Sequence, residues 1–364
     1  MTIDELDTPC LLIDLDRLES NIATWQARVT AAGSTLRPHI KTHKSPLIAR
    51  RQMEAGAVGI TAAKLSEAEV FVDAGITDVF VAYPIMGPLK WRHAAALAQR
   101  CRLIVGVDSV VGARGLSAAA VAAGSRILVR VEIEAGLGRS GVTAERAAAL
   151  CDEVGRLPGL ELEGIFAYRS TFFPGAAQLS AAQAAADEGR MLVAIAEALR
   201  AAGHPITSVS AGSTPTALGA AAVPGVTEVR PGTYVFGDAM MATLGALRHD
   251  DIALSILCTV VSRPATDRAT IDGGSKTFGG DIPPAMVGLP GYACAMRGDA
   301  WLERMSEEHG VVRLGPGTDP APGARLAFAP IHVCTTVNLS DVLVGVRGDV
   351  VAQCFPVAAR GKRE

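Results

Sequence analysis

Aromatic side chains make up only 4% of this 364-residue sequence, with 3 tryptophans, 4 tyrosines and 9 phenylalanines. The core must therefore be largely aliphatic, and few positions can supply a phenolic base. The 7 cysteines (Cys10, Cys101, Cys151, Cys258, Cys294, Cys334 and Cys354) are an odd, scattered set without a CxxC pair. That pattern suits reduced thiols better than a disulfide framework. No long basic run occurs and the net charge is -3, which argues against a nucleic-acid partner but leaves room for a local basic pocket and a small anionic ligand. No apolar stretch approaches the roughly 20 residues of a membrane span, and MTIDELDTP carries acids rather than an apolar signal segment. A cytoplasmic protein that does not engage membrane is expected.

What is abundant is the 49% of apolar residues and the 38 glycines that punctuate them. Short β-rich runs alternate with alanine-rich stretches of helical period: TLRPHIK, VGITAAK, DVFVAYP, RLIVGVD, RILVRVEIE, LEGIFAY, SVSAGS and VRPGTYVF. Eight strands separated by helices at this spacing predict a (β/α)8 barrel, with an open doubly wound sheet as the alternative. After about residue 250, IALSILCTVVSR, RATIDGG, HGVVRL, ARLAFAP, HVCTTVNLSD and VLVGVRGDVVAQCF follow one another through Gly, Pro and Asp turns. The expected organisation is a barrel over residues 16–245, with residues 1–15 and 246–364 forming an all-β domain. In that arrangement PCLLIDL is free to pair with the β-domain.

Barrel chemistry sits at the C-terminal ends of strands. RPHIKTHKSP places Lys41 at the end of the first strand, and alternation puts Arg37, His39 and Lys41 on one face. A lone lysine in such a turn is ordinarily a solvated cation. Crowded by other cations at a strand end, it becomes a candidate Schiff-base nucleophile. Lys44 is expected to begin the next helix, facing solvent or steering a phosphate. Other strand ends supply Lys64, Tyr83, Asp108, Arg139, Tyr168 and Arg169. The GSTPT loop (212–216), with its hydroxyls and free backbone N–H groups, and RPGTY with Gly232 and Thr233 together suggest a phosphate cradle, although each alone is commonly just a turn. A nucleophilic lysine and a phosphate cradle point to pyridoxal phosphate. In HVCTTVN, His332 and Cys334 lie two apart; on a strand they would point the same way and could share a catalytic zinc ion, whereas the ordinary reading is a pair of core residues.

TPCLLIDLDRLESNI, RPHIKTHKSP, GAVGITAAKLSEAEVFVDAGI, GRSGV, SAGSTPT, GVTEVRPGTYVFGDAMM, IDGGSKTFGGD and HVCTTVNLSD carry a resemblance across nearly the whole chain. The sequence resembles the D-threonine aldolase and D-serine dehydratase family, a metal-assisted branch of the alanine-racemase-like, pyridoxal-phosphate-dependent fold. The resemblance implies that Lys41 forms the internal aldimine and that His332 and Cys334 bind a divalent metal. It further implies phosphate contacts from Ser213, Thr214, Gly232 and Thr233, a contact from Arg139 to the cofactor ring, and Tyr234 and Tyr168 nearby. It implies a homodimer as well. Two positions depart from the family pattern: Tyr168, Arg169, Ser170 and Thr171 stand where tyrosine is usually followed within two residues by glycine, and Glu134 stands where aspartate is commoner.

The family resemblance implies a lyase for β-hydroxy D-amino acids. Dehydration of D-serine or D-threo-3-hydroxyaspartate to a 2-keto acid and ammonia is the first reading, because His-x-Cys is associated with the dehydratases and His-x-Asp with the aldolases. Thiolate also favours zinc, whereas carboxylate favours manganese or magnesium. Retro-aldol cleavage to glycine and an aldehyde is the alternative. A racemase would need a second base, for which Tyr292 is the one candidate, and a non-catalytic cofactor carrier would have no use for His332 and Cys334. Arg169 and Lys90 are candidate partners for a second substrate carboxylate, and surface positions explain them equally. His309 in SEEHG reads as a surface histidine.

Overall fold

Pro38 has no N–H to give a β-ladder, and it closes the first strand of the parallel sheet early. In chain order, the structure runs β1 (Cys10–Asp14), α1 (Leu15–Ala31), β2 (Thr35–Leu36), α2 (Pro46–Glu54), β3 (Ile60–Ala62), α3 (Leu65–Asp73) and β4 (Asp78–Pro84). It continues through α4 (Pro88–Leu97), β5 (Arg102–Val107), α5 (Val110–Ala123), β6 (Ile127–Ile133), α6 (Ala144–Arg156), β7 (Leu160–Ala167) and α7 (Ala181–Ala201). Then follow β8 (Ser208–Ala211), α8 (Ala217–Ala221), β9 (Glu228–Val229) and α9 (Ala239–Thr243). The final part holds β10 (Leu254–Ala265), β11 (Arg268–Ile271), β12 (Ala293–Ala295), β13 (Ala300–Met305), β14 (Gly310–Leu314), β15 (Arg325–Pro330), α10 (Val333–Asn338), β16 (Val342–Arg347) and β17 (Val350–Pro356). This computed structural model describes residues 1–169 and 180–364.

Two units are distinguished. One comprises Trp25–Lys41, Ala49–Gly232 and Lys362–Glu364. It contains a curled eight-stranded parallel sheet ordered β2-β9-β8-β7-β6-β5-β4-β3; seven of the eight β-rich runs contribute a strand, and VRPGTYVF contributes only Val229 to β9 before a 3-10 helix at Thr233–Val235. The backbone after β2, itself one sheet edge, bonds on both sides: His39 N–H donates to Pro231 O, just after β9, at 3.0 Å, and Thr61 N–H in β3, the other edge, donates to Pro38 O at 2.8 Å. One sheet face carries Phe80, Ile104 and Phe166, with the two phenylalanine rings edge-to-face at 5.0 Å. Gly106 must be glycine there, because a Cβ would fall 2.7 Å from Phe166 Cζ.

That apolar cluster lies beside a buried ionic lattice. Glu228 accepts from Arg37 Nε at 2.6 Å, Arg130 Nη1 at 2.5 Å and Ser210 Oγ at 2.6 Å. Arg37 also pairs with Asp78 at 2.5 Å, Arg130 pairs with Glu163 at 2.8 Å, and Arg102 pairs with both of those acids. Burial opposes the Glu228 charge, but Arg130 and Arg37 outweigh it and hold the carboxyl well below its ordinary range.

The other unit comprises Met1–Thr24, Thr42–Ile48 and Thr233–Gly361. Its nine-stranded sheet has the order β11-β14-β13-β12-β15-β10-β1-β16-β17, antiparallel except where β1 meets β16. β1 inserts between β10 and β16, so PCLLIDL does pair with the later strands. Two expectations require correction. HVCTTVN is the helix α10 rather than a strand, because Asp238 accepts from Val333 N–H at 3.1 Å and Thr336 Oγ donates back to His332 O at 2.9 Å. β12 and β13 are strands that the sequence pattern did not reveal. Among the described residues, no helix is long and apolar enough to cross a membrane.

Removing the Glu228 charge leaves two buried guanidinium groups short of a partner, so Glu228→Ala should destabilise the protein by about 3–5 kcal/mol. Arg114→Ala, which breaks an exposed pair with Glu153, should cost less than about 1 kcal/mol. Urea denaturation checks both; equal losses would show that the lattice has no special weight.

Candidate functional site

Lys41 is not in a strand. β2 ends at Leu36 and Lys41 lies in the 3-10 turn Ile40–Thr42, so strand alternation does not put it on the Arg37 face. Arg37 is buried in the ionic lattice, while Lys41 is exposed. Among the described residues, the Lys41 ammonium has no hydrogen-bond or ion-pair partner, and its backbone N–H lies 3.4 Å from His39 Nδ1. Lys44 also departs from expectation. It is buried at 9% exposure with φ +50°, and its ammonium donates to Ala359 O at 3.4 Å. A left-handed lysine whose stem is buried is a structural cation.

The unit containing Lys41 also carries most of the expected cofactor contacts. Arg139 is exposed, with its guanidinium 5.0 Å from the centre of the Tyr168 ring. Glu134 Oε1 accepts from the backbone N–H groups of Gly136 and Gly138, each at 2.8 Å, so the glutamate that departs from the family pattern shapes the turn leading to Arg139. Glu132 is buried; its Oε1 accepts from Ser140 Oγ at 2.8 Å and lies 4.0 Å from Arg139 Nη2. Burial pushes the Glu132 carboxyl up, although Ser140 and Arg139 pull it down. Lys64 lies 3.6 Å from the centre of the Tyr83 ring. Ser170 and Thr171, where the loop after Tyr168 departs from the family pattern, lie outside the described residues.

The GSTPT loop needs a correction in detail. Gly212 N–H donates to Glu188 Oε1 at 3.2 Å and Ser213 N–H to Thr216 Oγ at 2.9 Å, so these two backbone donors are occupied. Gly212 has φ +76°, and a Cβ there would meet Ala217 Cα at 2.7 Å, so the turn requires glycine. The Ser213 hydroxyl is half-buried; Thr214 and Gly232 are buried. Two residues that sequence reasoning missed lie close by. Arg230 is buried between Phe80 and Phe166 and donates to Ser210 Oγ at 2.5 Å and Ala167 O at 2.6 Å. Glu188 also accepts from Arg169 N–H at 3.3 Å and Thr216 Oγ at 3.4 Å. Burial pushes Glu188 up to about 7, against the pull of Arg230 and of the N–H and hydroxyl donors.

In the other unit, His332 is extended (φ -137°, ψ 107°) and caps α10, which carries Cys334 in its first turn. The His332 Nδ1–H donates to Asp281 Oδ2 at 2.7 Å, and the imidazole is also hydrogen-bonded to Cys334. Burial opposes its charge, but Cys334, Asp281 and Asp238 outweigh that and hold His332 up at about 11. Thr42 Oγ shares a hydrogen bond with Cys334 Sγ at 3.2 Å, and Thr233 Oγ lies 3.7 Å from the same sulfur. Thr233 thus sits against the metal-ligand candidate, and Tyr234 is fully buried. Among the described residues no cluster of three or more His, Cys, Asp and Glu could hold a metal, so the pair is an open donor set of one imidazole and one thiol. Such a set fits a catalytic metal with water or substrate completing its shell. The exposed amine of Lys41, without a partner among the described residues, fits an aldehyde cofactor that carries a phosphate, together with the Arg139–Tyr168 stack and the hydroxyls after β8. Tyr292 lies in the bend just before β12, its N–H donating to Leu302 O at 2.7 Å, and His309 is exposed in the turn between β13 and β14.

Residues 13–240 match the alanine racemase N-terminal domain, and residues 253–346 match a putative serine dehydratase domain. The chain belongs to the alanine racemase N-terminal domain family. Within this family, it is 36% identical to a D-threonine aldolase of an Arthrobacter species, covering 98% of this chain and 93% of that protein. It is 39% identical to the D-threo-3-hydroxyaspartate dehydratase of Delftia sp. (strain HT23), over 92% of this chain and 93% of that one. The solved D-threonine aldolase of Filomicrobium marinum superposes with a TM-score of 0.88 at 34% identity, covering 98% of this chain and 95% of that one.

Lys41→Ala should abolish the visible absorbance band of lysine-bound cofactor and leave the melting of the cofactor-free protein unchanged. Lys44→Ala should keep the band and destabilise the fold by about 1 kcal/mol, the scale of one buried hydrogen bond. The opposite spectra would show that the wrong lysine was chosen. Glu188 gives a pH prediction with a definite sign. Its folded value of about 7 lies above its ordinary 4.5, so folding binds a proton between them and stability falls as pH rises through that window. Glu188→Gln should remove about 3 kcal/mol of that fall, read from urea midpoints between pH 4.5 and pH 8. An unchanged pH slope would contradict the assignment.

Proposed function

We propose that this chain is a pyridoxal-phosphate- and divalent-metal-dependent lyase for β-hydroxy D-amino acids. Dehydration of D-serine or D-threo-3-hydroxyaspartate to a 2-keto acid and ammonia is its first activity. The observation that carries this reading is the imidazole and thiol of His332 and Cys334, hydrogen-bonded to each other in a chain closely similar to both a dehydratase and an aldolase. When bound, pyridoxal phosphate supplies an electron sink for negative charge at Cα and the metal supplies a Lewis acid at the β-oxygen.

The residues have separable tasks in this reading. Lys41 holds the cofactor and moves the proton at Cα. Ser213, Thr214, Gly232 and Thr233 hold the phosphate, mainly through hydroxyls because Gly212 and Ser213 N–H are already engaged. Arg139, stacked on Tyr168, orients the cofactor ring, with Tyr234 nearby. His332 and Cys334 hold the metal, and the soft thiolate favours zinc over manganese or magnesium. Thr42 and Thr233 both contact Cys334. In dehydration, Lys41 takes the Cα proton and the β-oxygen leaves as hydroxide. In the aldolase alternative, the β-hydroxyl loses its proton and the Cα–Cβ bond breaks to give glycine and an aldehyde. The 36% identity to a D-threonine aldolase keeps that second reading in play. The curled parallel sheet is read as a (β/α)8 barrel, which the hydrogen bonds and bridge from residues 36–39, at the β2 edge, to Val58 and Thr61, at the β3 edge, support. A cytoplasmic homodimer completes the proposal.

Purified protein incubated with D-serine, D-threonine and D-threo-3-hydroxyaspartate should yield keto acid and ammonia, and a chelator should suppress the yield. Glycine and aldehyde alone would overturn dehydration in favour of the aldolase. Chelator-insensitive racemisation would overturn both lyase readings.

A further inference from the structure

His332 has two ring nitrogens on opposite sides of the imidazole, and only one can face a shared metal with Cys334. Asp281 occupies the other: the Nδ1–H donates to Asp281 Oδ2 at 2.7 Å. Asp281 is itself fixed, because Thr335 Oγ donates to its second oxygen at 2.6 Å. Thr335 belongs to the same helix as Cys334, so the carboxylate is referenced to the backbone that carries the thiol. The loop bearing Asp281 reaches that helix through a glycine. A Cβ on Gly279 would lie 2.1 Å from Thr335 Oγ, and Gly279 N–H donates to Thr336 Oγ at 3.0 Å. Any other residue at 279 would force this loop or the Thr335 side chain to shift.

We propose that Asp281 is the positioning residue of the metal pair: it holds the Nδ1–H of His332 so that Nε2 is the nitrogen left for a divalent cation shared with Cys334. This rests on the reading of His332 and Cys334 as metal ligands. Two consequences follow from charge and geometry. The carboxylate makes the imidazole a stronger donor through Nε2, a large effect where the described residues offer only two protein ligands. It also completes the charge balance, since one thiolate and one carboxylate neutralise a divalent ion in a partly buried site.

The test is zinc affinity of the cofactor-loaded protein, measured by competition with a chromophoric chelator. Asp281→Ala should weaken zinc binding by about 10-fold or more. Asp281→Glu should recover part of that loss, and Thr335→Val should cost less than Asp281→Ala. The visible cofactor band and the melting of the metal-free protein should not move, which separates positioning from a general structural role. Should Asp281→Ala fail to fold, Asp281→Asn, of the same shape, should still bind zinc more weakly than the parent. Parent-like zinc affinity in the folded Asp281 variants, with affinity lost in His332→Ala, would overturn the role of Asp281 alone. A parent protein that binds no zinc, or a His332→Ala variant that binds it as tightly as the parent, would overturn the metal reading and this inference together.

Discussion

A single buried carboxylate, Glu228, constrains the parallel-sheet unit more than any other group. It accepts from Arg37 just after β2, from Arg130 in β6 and from Ser210 in β8, and Arg230 joins the set through Ser210. Charges this deeply buried are tolerated only when each is paired, so the strand ends that contribute them cannot drift independently. Arg37 is thereby fixed, and the chain turns from it through Pro38 and His39 to Lys41. Arg230 is fixed in the same way and leads to Gly232. The lattice therefore sets where the two segments expected to hold the cofactor leave the sheet.

The β-rich unit solves a different problem, that of presenting an imidazole and a thiol together. Asp238 does this at the backbone level. It caps α9 by accepting from Met241 N–H at 2.7 Å and caps α10 by accepting from Val333 N–H at 3.1 Å. Burial pushes its carboxyl up to about 6, against the pull of His332 and the two N–H donors. One buried acid thus joins the start of both short helices, and His332 enters α10 in extended conformation.

Much of this was legible in the sequence because hydrophobic alternation and helical period are local signals. Seven of the eight β-rich runs carry a parallel strand, whereas VRPGTYVF gives only Val229 to β9 and then turns into the 3-10 helix Thr233–Val235; PCLLIDL pairs with the later strands as its position suggested. Local signals failed where side chains override propensity. HVCTTVN reads as a strand because of its valines and threonines, yet the Thr336 hydroxyl and the distant Asp238 carboxylate satisfy the first turn of a helix. Lys44 reads as a solvated helix start, yet burial and a bond to Ala359 make it part of the packing. Asp281 lies 51 positions from His332, and no periodicity links residues so far apart.

The central claim is that the turn after β2 offers Lys41, and not its buried neighbour Lys44, to an aldehyde cofactor. Borohydride reduction of the cofactor-loaded protein, followed by proteolysis and mass spectrometry, tests this most directly. The account predicts a pyridoxyl group on the peptide carrying Lys41 and on that lysine alone. A label on Lys44, on Lys64, or on no lysine would contradict it.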